Sequence, residues 1–256
     1  TGEDTDPADT TEGAAGTFKS YVTSEDVLEA IADYSDGVYY DEVAEELKVL
    51  THGTTTDGEA FSTPEGVREP GDIETNHYTF RLYFYSTNEY DVMLNTTDSS
   101  VTSVSGGAAP IEAWDDGLSF EYDTVADSAL FDLGDAITAE AKDAARLSFN
   151  DGITTNIWDP NPDTGFTDNS ETGNVAYLYY NNVANSSSQL TLGTPVANTV
   201  NDTEVLLTLE GSEAAGYYGY LDVSIWLEGW DANAFNSILS DVITTNLQFK
   251  GDVVID

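Results

Sequence analysis

Carboxylates and amides at alternate positions mark residues 159–171 as a candidate cation site. Asp159, Asn161 and Asp163 stand two apart with prolines between them, Gly165 follows, and Asp168 and Glu171 lie just beyond. Hard oxygen donors of this kind are what Ca2+ takes, roughly six to eight at a time. Alternate residues of a tight turn can aim their oxygens at one centre. The spacing is not that of an EF-hand, because the glycine comes one place late and position twelve is Ser170. Asp115 and Asp116, before Gly117, form a second candidate. Ca2+ is the one cofactor these residues suggest. The competing reading is a solvated acidic loop, since Asp-rich turns recur throughout the chain.

Catalytic patterns are sparse, and the chain is not expected to be an enzyme. With no cysteine there is no thiolate nucleophile, disulfide or cysteine-ligated zinc. His52 and His77 are the two histidines, and His77 stands at the entrance to an aromatic strand, where a structural role is expected. No Gly-x-Ser-x-Gly elbow occurs, and Gly106-Gly107 lacks the Lys-Ser/Thr of a phosphate loop. Carboxylate pairs suited to glycoside hydrolysis arise by coincidence among 48 acids. Trp114, Trp158 and Trp226 can form a sugar platform or pack in a core; packing is the commoner fate. Trp226 and Trp230 flank Glu228 and are expected to pack over a sheet. Arg81 and Arg146 are expected to anchor particular carboxylates through paired hydrogen bonds. Asn95, Asn185 and Asn201 head N-x-S/T sequons and are candidate glycosylation sites.

Charge bounds the environment. Seven bases face 48 acids, a formal net charge of −41, yet only 21% of residues are charged. Lysine has been nearly emptied out, leaving Lys19, Lys48, Lys142 and Lys250. Such a surface repels itself and weakens the compact state. At about 1 M salt the Debye length falls to ~3 Å and the repulsion is screened. The composition therefore suits brine, bound cations, or both. It excludes nucleic acid as a partner, because phosphates need a basic patch. No apolar run approaches a membrane span. The chain starts at Thr1 without a signal core, as a mature secreted protein would after removal of its targeting segment. An extracellular or cell-surface location is expected.

The elements follow from patterning. Residues 1–16 hold no large apolar side chain and read as a flexible acidic arm. Residues 17–256 read as one β-sandwich domain, with a partly helical or looped insertion around 23–75. Thr23 or Ser24 can cap a helix running through Ile31, with Asp26 in its first turn. A second amphipathic helix is expected over 41–50 and a long loop over 53–72. Residues 78–85 are densely aromatic and predict a central strand. Further strands are predicted at 90–95, 118–122, 175–180, 189–192 and 204–209. A hairpin is predicted from 146–149 and 154–158 around Asn150-Asp151-Gly152, and a helical turn at 136–141. In 221–227, Leu221, Val223, Ile225 and Leu227 alternate with Asp222, Ser224 and Trp226, and Glu228 follows, which predicts one buried and one partly wet face. A short helix from Asp231 through 239 and a closing strand over 242–249 complete the chain. Many short strands between turns indicate a mainly β fold, a jelly-roll-like β-sandwich with a few short helices.

The unit 221–249, with its Trp226-Leu227-Glu228-Gly229-Trp230-Asp231 corner, resembles the C-terminal end of the TasA/camelysin-like secreted proteins. Residues 144–149 and 157–161 resemble the middle of such proteins. The resemblance implies a jelly-roll sandwich, an extracellular location and subunits that polymerise, an extended segment of one completing the sheet of its neighbour. It implies no catalytic residues. The acidic arm departs from the short apolar start of that family, and 20–75 has no counterpart in it.

These readings converge on a secreted structural subunit that is its own partner, a homopolymer forming a filament, pilus or tube. A halophile's virion or S-layer surface protein, or a secreted carbohydrate-binding β-sandwich, are the alternatives. The expected donor segment is Thr17, Phe18, Ser20, Tyr21 and Val22, whose side chains alternate around Lys19; residues 253–255 are the other candidate.

Overall fold

A computed structural model describes residues 22–34, 38–41, 46–64, 69–104, 140–162, 193–231, 234, 238 and 241–254. Helix α1 (Ser24–Tyr34) precedes short strands β1 (Tyr40–Asp41), β2 (Glu46–Leu47), β3 (Val49–Leu50), β4 (His52–Thr55), β5 (Phe61–Ser62) and β6 (Glu74–Thr75). Longer strands follow: β7 (Tyr78–Ser86), β8 (Tyr90–Leu94) and β9 (Ser100–Val104). Then come α2 (Ala141–Ala144), β10 (Ala145–Asn150), β11 (Thr155–Trp158), β12 (Val205–Thr208) and β13 (Glu210–Ser212). The last are β14 (Gly216–Glu228), β15 (Val242–Asn246) and β16 (Phe249–Val253). The fold is mainly β and sandwich-like, as expected.

Strand β14 organises the larger sheet. It runs thirteen residues, starting well before the predicted 221 because Gly216-Tyr217-Tyr218-Gly219-Tyr220 continues the strand. On one side it pairs antiparallel with β10, Val223 opposite Phe149; on the other it pairs with β7, Val223 opposite Phe80. Leu147, Phe149, Leu221, Val223 and Phe80 point into the core and are buried. The second layer, β12-β8-β16, meets them with Leu206, Val92 and Leu94. Phe249 of β16 receives Phe84 and Phe149 edge-on, with ring centroids 5.1 and 6.1 Å away. Each of these large side chains contributes about 1.5–3 kcal/mol by leaving water.

Local chemistry explains the elements that were foreseen. Thr23 and Asp26 form a capping box: the Thr23 hydroxyl accepts the Asp26 N–H at 3.2 Å, and the Asp26 carboxylate accepts the Thr23 N–H at 2.9 Å. Ile31 then buries its side chain. The β10–β11 hairpin turns where predicted. Asp151 accepts the N–H groups of Ile153 and Thr154, and Gly152 takes φ +88°, a left-handed value that favours glycine.

Four expectations are corrected. Where a helix was expected over 41–50, residues 46–50 form strands instead; β2 pairs with β1, and β3 pairs in parallel with β6, so strand pairing overrides the helical spacing of Leu47 and Leu50. Residues 53–72 are not one long loop. The Thr-rich β4 joins the end of β14 in parallel, Leu227 opposite His52, and β5 folds back on it. Strand β7 is not central: among the described residues it pairs with β14 alone. Residues 242–249 make two strands rather than one. They part at Leu247 and Gln248, where five residues of the facing chain, 95–99, bulge around the Asn95 N–H to Gln248 carbonyl bond. Val253 pairs with Tyr90 within this sheet, so the alternative donor at 253–255 is engaged at its start. The predicted elements at 118–122, 175–180 and 189–192 lie outside the described residues, as do most of 136–141 and of the helix after Asp231.

The charge imbalance has a local expression here. Asp91 of β8 sits directly opposite Asp252 of β16. The two line an open cleft of about 360 Å³ with Asp202 and Lys250. Lys250 approaches Asp202 at 3.6 Å. Like charges directly opposed across a strand pair are destabilising. Asp252→Lys is therefore expected to raise the low-salt melting temperature by about 2–4 °C, the shift that about 1 kcal/mol gives in a chain of this size. The gain should fade in molar salt, where the repulsion is already screened. Thermal melts at the two salt concentrations check this; an equal gain in both would assign the effect to something other than charge.

Candidate functional site

The outward face of the large sheet collects the polar and aromatic side chains that alternate with the core. Strand β14 contributes Tyr218, Tyr220, Asp222, Ser224, Trp226 and Glu228, β7 contributes Thr79, Arg81, Tyr83 and Tyr85, and β10 contributes Arg146, Ser148 and Asn150. One end of the face is covered by residues 52–64, and at the other Arg81, Tyr220 and Asp222 are partly exposed.

At the covered end, residues 52–64 lie over β14. The predicted partly wet row is therefore buried there: Ser224, Trp226 and Glu228 have lost their solvent, while Asp222 remains half-exposed. Phe61 sets its ring edge against Trp226 at 5.2 Å, and a Cβ at Gly229 would fall on Pro64. The Glu228 carboxylate accepts the Trp226 indole N–H at 3.0 Å and the Trp230 backbone N–H at 3.2 Å. Beside it Arg146, 2% exposed, reaches Asp231 at 2.5 Å and Asp159 at 3.0 Å. Its other terminal nitrogen donates to the carbonyls of Asp143 and Ala145, both at 3.1 Å. This is a clamp. One guanidinium ties α2, the strand after it, the end of β11 and the Trp-Leu-Glu-Gly-Trp-Asp corner together. Burial pushes the carboxyls of Asp159 and Asp143 up, against the pull of Arg146 and, at Asp143, of Lys142.

Burial also raises Glu228 to about 6, with the Trp226 bond and Arg146 pulling the other way. A raised carboxylate pKa means that the fold prefers the protonated form. Ionisation of Glu228 thus costs stability progressively from about 4.5 to about 6, roughly 2 kcal/mol in full. The buried His52 and the half-buried His77, both lowered to about 4 by burial, act oppositely and favour the fold as pH rises toward 6.5. Glu228→Gln isolates the carboxylate. Relative to that variant, the wild type is expected to gain about 1.3 kcal/mol on acidification from 6 to 4.5, the larger part of the full effect. Denaturant titrations of both proteins across this range check it, and parallel curves would remove Glu228 from the pH response.

At the other end, Arg81 crosses to Asp222 through two bonds of 2.7 and 2.8 Å, and its guanidinium lies 3.9 Å over the Tyr220 ring. Tyr83 stands opposite Tyr220 and Tyr85 opposite Tyr218, with centroids 6.4 and 4.9 Å apart. Between the two ends lies a cleft of about 230 Å³. It is walled by Tyr39, Glu59, His77, Thr79, Asn150 and Ser224. The Tyr39 hydroxyl bonds His77 Nε2 at 2.8 Å, Asn76 bonds His77 Nδ1 at 2.7 Å, and Phe61 stacks on the ring at 4.2 Å. Held near 4, His77 is neutral above that range and is fixed in place by these contacts.

The predicted site residues divide. Asp159 is turned toward Arg146, and Asn161 spends its amide N–H groups on the carbonyls of Val101 and Lys142. Asp163, Asp168, Asp115 and Asp116 lie outside the described residues. Among the described residues no three acidic or histidine side chains form a metal-holding group. Of the sequons, Asn95 donates to Asp98 at 2.7 Å, Asn201 is exposed, and Asn185 is not described. Val22 is exposed; Thr17, Phe18, Ser20 and Tyr21 are not described. Trp158 and Trp226 are buried, as packing required, and Trp114 is not described. Both arginines hold carboxylates as expected, although only Arg81 does so with two bonds to one partner. The tyrosine face was missed. Its signal was the odd-numbered Tyr83 and Tyr85 and the even-numbered Tyr218 and Tyr220, each pair sharing one side of a strand.

No family model matches this chain, and no match was found among curated proteins or solved structures.

Proposed function

We propose that the chain is a structural subunit that works outside the cell or at its surface and joins copies of itself by strand addition into a filament, pilus or tube. One observation carries the reading. Strand β7 extends over nine residues and, among the described residues, has one ladder partner. A strand with an open edge is a template for another chain's strand. Helix α1 packs on β7, and Val22, the last of residues 17–22, lies exposed just before that helix. Their alternating side chains suit a donor, and backbone bonding tolerates like charge better than two flat acidic faces would. The resemblance of the Trp-Leu-Glu-Gly-Trp-Asp corner to polymerising secreted proteins agrees with this. No described helix is long and apolar enough to cross a membrane.

Deletion of residues 1–22 tests the reading. In molar salt the full chain is expected to form elongated polymers in negative stain. The truncated chain should stay folded and monomeric, and a peptide spanning 17–22 should bind it. A truncated chain that forms the native polymer would exclude the N-terminal donor, and a full chain that stays monomeric at every salt and calcium concentration would end the proposal.

A further inference from the structure

We infer that the fold makes Asn201 the acceptor of an N-linked oligosaccharide and closes Asn95, although the sequence gives both the same N-x-S/T motif. The inference rests on the reading that the chain is exported, and not on its assembly. Asn201 opens the turn that leads into β12 and is exposed. The Glu204 N–H closes that turn on the Asn201 carbonyl at 3.2 Å. Within it the Asn201 Oδ1 accepts the Thr203 N–H at 2.9 Å and the Thr203 hydroxyl at 2.8 Å. The amide nitrogen Nδ2 meets no acceptor among the described residues. Asn95 is arranged oppositely. It is half-buried where the chain bulges between β8 and β9. Its Nδ2 donates to the Asp98 carboxylate at 2.7 Å, and its Oδ1 accepts the Asp98 N–H at 3.3 Å. The hydroxyl of its motif, on Thr97, donates to Asp202 at 3.3 Å. Asp202 also accepts the N–H and the hydroxyl of Thr96, at 2.9 and 2.7 Å. The middle residue of one motif thus ties down the other. The tie fixes the 201–204 turn to the 95–99 bulge, while the Asn201 side chain takes no part in it.

An amide nitrogen is a poor nucleophile, because its lone pair is spread into the carbonyl. Two donors on the Asn201 Oδ1 draw that charge toward oxygen and make an Nδ2 proton easier to remove. The co-reactant is a polyprenyl phosphate- or pyrophosphate-linked oligosaccharide. The new bond joins Nδ2 to the anomeric C1 of the first sugar, and the C1–O bond to phosphate breaks. The lipid phosphate leaves with that electron pair, and one Nδ2 proton passes to a base of the transferring enzyme. Nothing is oxidised or reduced. At Asn95 the bond to Asp98 must break first, and the Thr97 hydroxyl must leave Asp202. The Asn95 backbone is also held, its N–H on the Gln248 carbonyl at 2.8 Å and its carbonyl on the Ser99 N–H at 2.9 Å. An enzyme could not draw this segment out without giving up those bonds too.

The test uses the full chain, made without glycosylation and folded in molar salt. Solubilised haloarchaeal membranes supply the oligosaccharyltransferase and its lipid-linked donor. Synthetic peptides spanning residues 91–99 and 197–205 carry the two motifs free of the fold and are run beside it. Mass spectrometry of proteolytic fragments scores the sugar at each asparagine over time. Both peptides are expected to accept it. In the folded chain Asn201 should accept it, and Asn95 at least about tenfold more slowly, the factor for first breaking a bond to a charged carboxylate. Thr203→Val, at an exposed position, should melt like the wild type and leave Asn201 bare. Three results would overturn the inference. Asn201 stays bare in the folded chain; or Asn95 is occupied there as fast as Asn201; or the two peptides differ as much as the two folded sites do, which would place the choice in the local sequence and not in the fold. Transfer is scored whether or not the chain polymerises, so this inference and the assembly reading fail separately.

Discussion

Arg146→Met is expected to destabilise the fold by about 3–5 kcal/mol, the usual cost of removing one partner from a buried ion pair. Arg146 is 3% exposed in its side chain and Asp231 4%, so neither carries water that could replace the other. Asp159 depends on the same guanidinium, and the carbonyls of Asp143 and Ala145 lose a donor as well. Arg81→Met provides the contrast. Its bond to Asp222 is equally short, but the two side chains are 27% and 19% exposed, and an accessible pair is worth about 1 kcal/mol or less. Denaturant midpoints in molar salt should separate the two variants clearly. Arg146→Lys should fall between them, because a single ammonium cannot reproduce the fork that serves two carboxylates and two carbonyls. Equal losses for Arg146→Met and Arg81→Met would show that burial does not govern these pairs.

What was legible in the sequence follows the reach of each signal. The capping box at Thr23 and Asp26 and the Asp151-Gly152 turn are local: side chain and backbone partner lie within three residues, so spacing alone specifies them. The alternation in 221–227 placed Leu221 and Val223 in the core, because a period of two has one physical meaning. Alternation could not say what covers the other row. That depended on residues 52–64, some 170 positions earlier in the chain, folding over Trp226 and Glu228. The same long-range pairing undid the helix expected at 41–50. Leu47 and Leu50 have helical spacing, but β1 and β6 were there to pair with. The aromatic run at 78–85 misled in another way. Density of Tyr and Phe suggested burial on both faces, yet even positions such as Phe80 enter the core while Tyr83 and Tyr85 face outward. The cation loops rest on oxygen-rich spacing. Spacing shows which atoms are present but not whether an arginine claims them first, as Arg146 claims Asp159.

Val223→Asp should be comparably severe, costing several kcal/mol through an unpaired charge in an apolar site. Val223 is fully buried at the middle of the central strand, with Phe149 on one side and Phe80 on the other. Neither neighbour offers a hydrogen bond, and every backbone group around it is engaged in the two ladders. The new carboxylate would either ionise without a partner or hold a proton at a strongly raised pKa. In the second case acid should partly rescue the variant, since stability then falls as pH rises through the unfolded value. Ile225, two residues on, was expected to be equally central, but it is only half-buried beside Tyr78 and Leu147. Ile225→Asp can turn its carboxylate toward water and should lose clearly less. Circular dichroism melts of both variants in molar salt, at neutral pH and near pH 4, give the comparison. If Ile225→Asp proves the more damaging, or Val223→Asp melts like the wild type, the packing of β7, β14 and β10 around Val223 is wrong.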